Sequence, residues 1–393
     1  MKRLNADVAI VGGGACGLTL ARALAGRMGS IVVLESGGLT QDDAHEALNA
    51  VDIADGCWSA EEFAARDLYH RSLTTHWDGA RQTYGLRCRG LGGSTQAWAG
   101  KSAVFEQIAQ ARDWVPLSGW PVSRDALAPW LAQAGDLLNL GPGPYDATLW
   151  DRIGHTPPEP SLSDTAFRTV FWKFARSRRS VTDIMRFGAD FVADPPDGVR
   201  VLTNATVTRI LTDPEGCRVA GLEARSLAGH RIEVAAPICI LAASTIENAR
   251  LLLVSRDADP RGLGNRHDTV GRYLTDHPTA TIARFDKEAA PDLASRFGLY
   301  GYRQDGRTHV YMHGLALDPA WQRAERALNG ALFVNEERAD DDPFTAARRI
   351  LKRQSPSVLK DAMCVARSPV RIVRGATARC RSRGITYPGR SQA

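Results

Sequence analysis

The sequence has few cysteines and no paired-cysteine motif. Its 393 residues include seven cysteines, an odd number, and no two of them are spaced as C-x-x-C. This pattern argues against a disulfide framework and against a structural zinc site, and we expect no metal. Unpaired cysteines are typical of reduced thiols, so we expect a cytoplasmic protein.

Long apolar runs are also missing. The longest uncharged stretch near the start, VAIVGGGACGLTLA at residues 8–21, is too short and too rich in glycine to span a bilayer. Asp7 interrupts the start before an apolar region can form, which argues against a secretory signal. With 44% hydrophobic and 24% charged residues, the composition is that of a soluble globular protein. Its length predicts two domains, or one large domain with insertions.

The last part of the chain has almost no acidic residues. Residues 343–393 contain twelve arginines or lysines and one acid, Asp361, although the whole chain has a net charge of only +5. The segment lacks interleaved aromatic residues and any recognisable nucleic-acid-binding module. We therefore predict that the protein does not bind nucleic acid.

A glycine motif stands near the N-terminus, between an apolar strand and a helix. After the predicted strand at residues 8–11, Gly12, Gly14 and Gly17 form G-x-G-x-x-G. In such motifs the first glycine makes a tight turn, the second lets a pyrophosphate approach the backbone, and the third lets helix and strand pack closely. The helix N-terminus attracts the phosphates. The pattern predicts dinucleotide binding, and a purely structural α/β turn is the alternative.

A second apolar strand, residues 31–34, ends on Glu35, which lies 18 residues after Gly17. An acid at this position binds ribose hydroxyls in βαβ nucleotide folds. Its charge would repel a 2′-phosphate. The motif by itself leaves NAD and FAD open.

A further strand-turn-helix pattern occurs late in the chain. Residues 238–241 predict a buried strand, Ala242, Ala243 and Ser244 form a turn of small residues, and a helix follows from about Ile246. Small residues suit close backbone approach to a ligand. Before this unit, residues 204–213 and 217–226 alternate like antiparallel strands.

Taken together, these segments resemble the glucose-methanol-choline (GMC) family of FAD-dependent oxidoreductases. The resemblance runs from residue 7 to about residue 278, in the family order. The segment IENARLLL is similar in sequence to the members that oxidise sugars and polyols. The matching segments are DVAIVGGGACGLTLARALA, LESGG, RGLGGSTQAWAG, SGWPVSRDALAPWLAQAGDLLNLG, NATVTRI, LAASTIENARLLL and GLGNRHDTVGRYLTDHP.

The resemblance implies an α/β fold, with a Rossmann-like FAD-binding domain and a discontinuous α+β substrate-binding domain. The FAD-binding domain is expected to comprise residues 1–45, 84–104 and 190–275. The substrate-side domain is expected to comprise residues 46–83, 105–189 and 276–342. A basic C-terminal segment, 343–393, completes the chain and is incomplete relative to the family.

The resemblance also implies a set of FAD-contacting residues. Those of the first turn contact the pyrophosphate, those at the end of the second strand the adenosine ribose, and those of the loop after residue 91 the pyrophosphate and ribityl chain. Residues 99 and 100 lie near the reactive edge of the flavin, while Val207 meets the adenine and the turn at 242–244 approaches the adenosine half. The full set is Gly12, Gly14, Gly17, Glu35, Ser36, Gly92, Gly93, Ser94, Thr95, Ala99, Gly100, Val207, Ala242, Ala243 and Ser244.

Residues on the substrate side give weaker signals. Leu127, Leu131, Ala134 and Leu138 recur at helical spacing after Trp120 and Pro121, which predicts ordinary core packing. In THVYMHG, residues 308–314, alternate residues share one face if the segment is a strand. That face, with His309, Tyr311 and His313, has either a substrate-cavity role or a solvated or structural one. His277 is interpreted as part of a structural turn, and Asp276 as a partner for a backbone amide.

The sequence ends without one expected feature of the family. The family's activity is hydride transfer from a carbinol carbon to flavin, assisted by a histidine in a late segment, and no such segment follows residue 330. The catalytic residue is therefore left unassigned. Three explanations stay open: a truncated product, a protein partner that completes the fold, or divergence towards binding without turnover. We expect an FAD-dependent oxidoreductase acting on an alcohol or sugar, with a non-catalytic or partner-completed FAD-binding subunit as the alternative and an NAD enzyme as a third possibility.

Overall fold

The structure, a computed structural model, divides into two compact units, each built from separate stretches of the chain. Unit 1 contains Met1–Trp98 and Met185–Ile282, and unit 2 contains Ala99–Ile184 and Ala283–Gly389. The residues described are 2–50, 77–78, 81–82, 87–116, 118–158, 166–179, 184–274, 282–286, 288–289, 292–293, 296–334, 342–351 and 355–367.

Unit 1 is organised around a four-stranded parallel sheet in the order β12-β2-β3-β8. All residues of β2 and β3 are buried, as expected for uninterrupted apolar strands covered on both faces. The register pairs Ile10 of β2 with Val33 of β3 and with Ile240 of β12. These strands are β2 (Val8–Val11), β3 (Ile31–Leu34), β8 (Val199–Leu202) and β12 (Ile238–Leu241).

A second four-stranded sheet, in the order β1-β11-β10-β9, shares a hydrophobic core with the first. The predicted alternating segments form the antiparallel pair β9 and β10, which confirms that interpretation. Leu222 and Val234 of this sheet lie in one core cluster with Val11 and Leu34 of the parallel sheet. The strands are β1 (Lys2–Asn5), β9 (Thr206–Thr212), β10 (Val219–Arg225) and β11 (Arg231–Ala235).

Helices connect and cover these sheets. The glycine motif leads into the first helix as predicted, and the last helix of the unit begins one residue before the predicted Ile246. The parallel sheet with these helices confirms the predicted α/β, Rossmann-like fold. The remaining elements of unit 1 are α1 (Ala15–Leu24), α2 (Asp43–Glu46), β4 (Trp77–Asp78), β5 (Arg81–Gln82), α5 (Phe187–Ala193) and α6 (Thr245–Val254).

Unit 2 contains an antiparallel sheet in the order β13-β14-β7-β6, with β15 paired to β14. Its aromatic core includes Trp150, Phe171 and Tyr311. The ring centroids of Trp150 and Phe171 lie 4.7 Å apart in an edge-to-face arrangement. The strands are β6 (Lys101–Ser102), β7 (Phe167–Phe174), β13 (Leu299–Gln304), β14 (Arg307–Leu317) and β15 (Ala331–Leu332).

The described residues of unit 2 include five helices. The last two are joined by an ion pair between Arg349 and Asp361, the one acid of the basic segment. The hydrogen bonds from Arg349 lower the pKa of Asp361 to about 2. The helices are α3 (Arg124–Leu137), α4 (Leu149–Ile153), α7 (Pro319–Ala324), α8 (Pro343–Leu351) and α9 (Val358–Ala366).

The prediction of core packing for α3 is wrong. The helix forms, with the Ser123 side chain accepting a hydrogen bond from the Ala126 N–H, but none of its residues is buried. Leu127 and Leu131 are half-buried, and Trp130 is 65% exposed. The helical spacing identified the helix correctly, but periodicity does not say how much of the apolar face a neighbour covers.

No helix within the described part of the chain is both long enough and apolar enough to cross a membrane.

Candidate cofactor-binding site

The first glycine motif makes the turn between β2 and α1. Gly12 has a φ of +100°, and a Cβ added there would lie 2.6 Å from the carbonyl oxygen of Ala242. A Cβ on Gly17 would lie 2.0 Å from the carbonyl oxygen of Gly12. The structure therefore uses these two glycines for backbone contacts within the protein, as the sequence pattern predicts for the first and third positions.

Gly14 is surrounded differently from its neighbours. Its φ of −78° and ψ of −174° suit any residue, and a Cβ added there would meet only the Cα of Gly93, at 4.0 Å. The space in front of Gly14 is therefore open to a ligand. The first turn of α1 contains no acidic residue, and the first N–H groups of a helix have no partner within the helix. This combination fits a pyrophosphate.

The loop at residues 88–98 lies directly against the glycine motif. The N–H of Gly92 donates to the carbonyl of Gly13 at 2.7 Å, and Gly14 and Gly92 form an isolated parallel bridge. A Cβ on Gly93 would lie 3.1 Å from the Cα of Gly14. Two glycine segments that are distant in sequence therefore form one cradle of backbone atoms.

Residues that precede or begin α5 hold this loop in place. One Nη of Arg186 donates to the carbonyl oxygens of Thr95 and Trp98, at 2.7 and 3.0 Å. The indole N–H of Trp98 donates to the carbonyl of Met185 at 2.8 Å. A Cβ on Gly188 would lie 2.0 Å from the carbonyl oxygen of Leu91. Sequence reasoning missed Arg186 and Gly188, because neither belongs to a recognisable motif.

Ser94 and Thr95 lie in a single 3-10 turn, residues 93–96. The Thr95 hydroxyl donates to the carbonyl of Gly92 at 2.6 Å and is buried. Its proton is thus used inside the loop, and its lone pairs remain as acceptors.

Glu35 joins three loops through its carboxylate. One oxygen accepts a hydrogen bond from the N–H of Gly13 at 2.8 Å, and the other accepts from the N–H groups of Gly37 and Gly90, at 2.9 and 3.0 Å. The residue is 6% exposed. A carboxylate has about four lone-pair positions, so three are used here and one is left for a ribose hydroxyl.

Burial raises the pKa of Glu35 above its ordinary value of 4.5. The three backbone hydrogen bonds oppose this shift, because they favour the charged form, but desolvation is the larger effect. The geometry of the cradle and the protonation of Glu35 are therefore coupled.

Arg89 forms the centre of a buried polar network beside Glu35. Its Nε donates to Asn49 Oδ1 at 2.9 Å, and one Nη donates to Ser36 Oγ at 3.0 Å. The other Nη contacts Glu247 Oε2 at 3.2 Å, and the backbone N–H of Arg89 donates to Glu46 Oε1 at 2.6 Å. Sequence reasoning missed this network, since its members are spread over 200 residues of the chain.

The charges of this network are balanced by neighbouring groups. Burial alone would raise the pKa of Glu247, but hydrogen bonds from Arg250 and the charge of Arg89 outweigh it, so the pKa is lowered. Burial raises the pKa of Glu46, against the hydrogen bond from the Arg89 backbone. Arg89 therefore contacts two carboxylates whose pKa values are shifted in opposite directions.

The predicted adenosine-contacting residues lie close together. The Ser36 and Thr206 hydroxyl oxygens lie 2.7 Å apart, and the N–H of Ala205 donates to the carbonyl of Glu35 at 2.9 Å. Val207 follows in β9 and is buried. The structure thus places the end of β3 beside the start of β9.

The turn at Ala242, Ala243 and Ser244 lies against Gly12 of the glycine motif. The N–H of Ala242 donates to the carbonyl of Val11 at 2.8 Å, and Asn248 Oδ1 accepts from the N–H of Ala243 at 2.9 Å. Ser244 has a φ of 76° and a ψ of 163°. This region is populated almost only by glycine and costs about 1–3 kcal/mol, so the turn is strained where a ligand is expected to approach.

The two predicted flavin-edge residues, Ala99 and Gly100, begin unit 2. The carbonyl of Gly100 accepts from the N–H of Ala175 at 2.7 Å. A Cβ on Gly100 would lie 2.8 Å from Ile184 Cγ2, so this glycine is needed for packing within unit 2.

His309, Tyr311 and His313 share one face of strand β14, and all three are buried. The possibility that they are solvated is therefore wrong. The Tyr311 hydroxyl donates to the carbonyl of Pro142 at 2.9 Å, while the His313 ring stacks on Phe297 with centroids 5.0 Å apart. Asp276 and His277 lie outside the described residues.

Fold and site together define a class: a Rossmann-like dinucleotide-binding protein in which three backbone turns form one cradle. Residues 190–279 match the family model for GMC oxidoreductases. Over these residues the match confirms the resemblance to GMC oxidoreductases predicted from the sequence. FAD is the cofactor predicted from that resemblance, and it is confirmed at the level of the family.

Individual relatives cover only parts of the chain. The chain is 33% identical over 82 residues to the fructose dehydrogenase large subunit of Gluconobacter japonicus, a match that spans 21% of this chain and 15% of that subunit. It is similar to a formate oxidase structure, with a TM-score of 0.41, 15% identity and coverage of 65% of this chain and 48% of that chain. It is also similar to the structure of a fungal aryl-alcohol oxidase, with a TM-score of 0.40, 17% identity and coverage of 64% of this chain and 47% of that chain. The chain thus spans less than half the length of these relatives.

Proposed function

We propose that the cradle of unit 1 binds FAD and that the protein takes a hydride from the CH–OH group of a sugar, polyol or related alcohol. The observation that supports this best is the convergence of the Gly12–Gly14 turn and the Gly92–Gly93 loop. Flavin supplies the hydride-accepting chemistry when it is bound. The family match supports oxidoreduction in general, and the relative that oxidises fructose favours a sugar substrate.

Each part of the cradle has a proposed task. Gly14 and the N–H groups that begin α1 hold the pyrophosphate, and Glu35 holds the adenosine ribose with its remaining lone pair. Gly92, Gly93 and Ser94 follow the pyrophosphate and ribityl chain. Because these contacts come from backbone or from groups fixed by hydrogen bonds, little ordering is needed when the cofactor binds.

We assign no general base among the described residues. Both ring nitrogens of His313 lie near protein oxygens: Nδ1 is 2.8 Å from the carbonyl of Arg296, and Nε2 is 3.5 Å from the Thr169 hydroxyl. A general base contributes on the order of 10² to 10⁴ in rate. The chain by itself is therefore proposed to hold flavin firmly and to turn over slowly.

Flavin binding is tested by the spectrum of the purified protein, which should show absorbance at roughly 450 nm that is released on denaturation. Gly14→Val should abolish flavin retention and, when both proteins are compared without flavin, leave the unfolding midpoint nearly unchanged, because the backbone at Gly14 accepts any residue and only the open space is filled. Gly135→Ala is the control, since nothing lies within 4 Å of its added Cβ. A colourless protein that FAD cannot reconstitute, especially one that enhances NADH fluorescence, would overturn the proposal.

A partner-completed FAD-binding subunit is a second proposal. It is favoured by the relative from Gluconobacter japonicus, which is the large subunit of a fructose dehydrogenase. Anaerobic addition of fructose, other sugars and alcohols separates the two proposals. Bleaching of the flavin by one of them supports an enzyme, whereas a stable flavin that no substrate reduces supports the subunit. A cytoplasmic location stays a prediction.

A further inference from the structure

A cleft of about 820 Å³ lies within unit 2, between helix α3, the loop that follows it, and the turn that joins β13 to β14. We call it the β14 cleft. Its volume is in the range of small-molecule sites. The side chains that matter for its chemistry are Tyr145, Lys173, Arg178, Gln304, Arg307 and His309.

Two side chains of the β14 cleft have buried polar atoms without a hydrogen-bond partner. These atoms are Nδ1 of His309 and Oε1 of Gln304. His309 is only 8% exposed. Leaving a buried polar atom unpaired costs about 1–3 kcal/mol. The two atoms therefore indicate a ligand that supplies hydrogen bonds at this place.

The charges around the β14 cleft favour an anion. The cations outnumber the acids by two, and burial lowers the pKa of His309, which keeps this ring neutral near pH 7. An excess of positive charge on concave walls attracts anionic ligands. The charged lining residues are Arg124, Lys173, Arg178, Arg307, Asp136 and Asp305.

Lys173 is the best-fixed cation of the cleft. Its Nζ donates to the carbonyl oxygens of Gly141 and Gly143, at 2.9 and 2.5 Å, and lies 4.1 Å from the Tyr145 ring centroid. An ammonium group has three donors, so one remains beyond these two bonds. Burial lowers the pKa of Lys173 to about 8, which leaves the group mostly charged at neutral pH.

We propose that the β14 cleft binds a small hydroxylated anion, namely a sugar or polyol that carries a carboxylate or a phosphate ester. Lys173 and Arg307 contact the anionic group. Gln304 Oε1 accepts a hydrogen bond from a ligand hydroxyl, and His309 Nδ1 bonds to the ligand in the tautomer that the ligand selects. The site is formed entirely by unit 2 and does not rest on the flavin proposal.

Calorimetric titration of the full chain tests this site with four probes: sodium gluconate, glucose 6-phosphate, sulfate and glucose. Gluconate or glucose 6-phosphate should bind roughly tenfold or more tightly than sulfate, which lacks the hydroxyls, and than glucose, which lacks the charge. The tighter of the first two identifies the acidic group as carboxylate or phosphate. Absence of binding by both, or glucose binding as tightly as gluconate, overturns the proposal.

Matched variants locate the binding. Arg307→Gln should weaken gluconate and sulfate alike, by roughly tenfold to a hundredfold. Arg303→Gln, an exposed arginine on the neighbouring strand that does not line the cleft, should change neither by more than about twofold. Gln304→Met should weaken gluconate but not sulfate. Equal losses in the two arginine variants would show that the ligand binds elsewhere. If Arg307→Gln lowers the melting temperature, Arg178→Gln serves as the second variant.

NMR titration of the histidines gives a readout that activity does not influence. The charged groups around His309 are Arg307, Lys173, Asp305 and Arg176, and burial is the largest cause of its lowered pKa. A bound anion should raise the pKa of His309. His313, on the same strand and also with a pKa lowered by burial, should not change. If the pKa of His309 stays unchanged at saturating gluconate, the ligand does not bind beside this histidine and the proposed site is wrong.

Discussion

The cradle of unit 1 and the β14 cleft of unit 2 satisfy their buried polar groups in opposite ways. In the cradle, backbone N–H groups occupy three of the about four lone-pair positions of the Glu35 carboxylate, and the ligand is expected to meet glycine backbone. In the cleft, His309 Nδ1 and Gln304 Oε1 have no partner. A site made of backbone can be complete before its ligand arrives, whereas a site made of side chains keeps unpaired atoms that cost stability.

The largest expected effect comes from breaking the cradle at its closest backbone contact. Gly17→Ala places a Cβ 2.0 Å from the Gly12 carbonyl oxygen, so strand and helix must separate. We expect a loss of about 3 kcal/mol or more in the free energy of unfolding, together with loss of flavin. Urea unfolding measures the first and absorbance the second.

The control variant for Gly17→Ala should change stability in the opposite direction. Gly135→Ala, in helix α3, adds a Cβ in open space and should stabilise the protein by about 1 kcal/mol, because alanine favours a helix. If Gly17→Ala lowered the free energy of unfolding no more than Gly135→Ala does, β2 and α1 would not approach each other as closely as the structure shows.

A smaller effect is expected from Glu35→Gln. The amide oxygen accepts at most two of the three N–H bonds, and the new NH₂ group faces the remaining donor. At a pH where the Glu35 carboxyl group of the wild type is protonated, we expect the free energy of unfolding of Glu35→Gln to be lower by about 2 kcal/mol. Chemical unfolding of both proteins measures it.

The comparison of the two proteins should depend on pH. Because the pKa of Glu35 is raised, the folded wild type holds a proton that the unfolded chain releases above its ordinary pKa of 4.5. The stability that this proton gives is present below pH 4.5 and is lost as pH rises through the folded pKa. The wild type should therefore lose part of its advantage over Glu35→Gln from about pH 4.5 upward. A difference that does not vary with pH would contradict the raised pKa.

The smallest effect on stability should come from a substitution in the β14 cleft, and it should raise the free energy of unfolding. Gln304→Met removes the unpaired Oε1 at nearly constant volume, so the free protein should gain about 1 kcal/mol in thermal or urea unfolding. Gln133→Met, on the exposed surface of α3, should stay within about 0.5 kcal/mol of wild type. A loss of stability in Gln304→Met would mean that this side chain is already satisfied.

Much of unit 1 was predictable because its elements have local signals. Continuous apolar runs identified β2, β3 and β12 at their observed residues. Such runs are expected for β2 and β3, which are buried on both faces. The prediction that β12 is buried is wrong, because Ile238 is 45% exposed and the other three residues are half-buried. The glycine spacing identified the turn. Arg89 and Arg186 were not predictable, because their partners are remote in sequence and any arginine has the same local pattern.

Unit 2 was harder to predict. The periodicity of α3 gave the helix but not its exposure, and the alternation in β14 gave a shared face but not its burial. In both cases the missing information was which other segment covers the face. That depends on long-range packing, which a pattern of period 2 or 3.6 does not contain.

The loop CRGLGGSTQAWAG shows where the two sources of information divide. From the sequence alone, glycines at 12, 14 and 17 predict a turn from strand to helix, because backbone conformation depends on the residue in place, and that they admit a pyrophosphate stays a prediction. The folded chain alone reveals that Gly92 and Gly93 lie against that turn, that the N–H of Gly90 in the loop donates to Glu35, and that His309 and Gln304 line one cleft. Contacts between segments far apart in the chain form by packing of the whole domain, and packing leaves no local mark in the sequence.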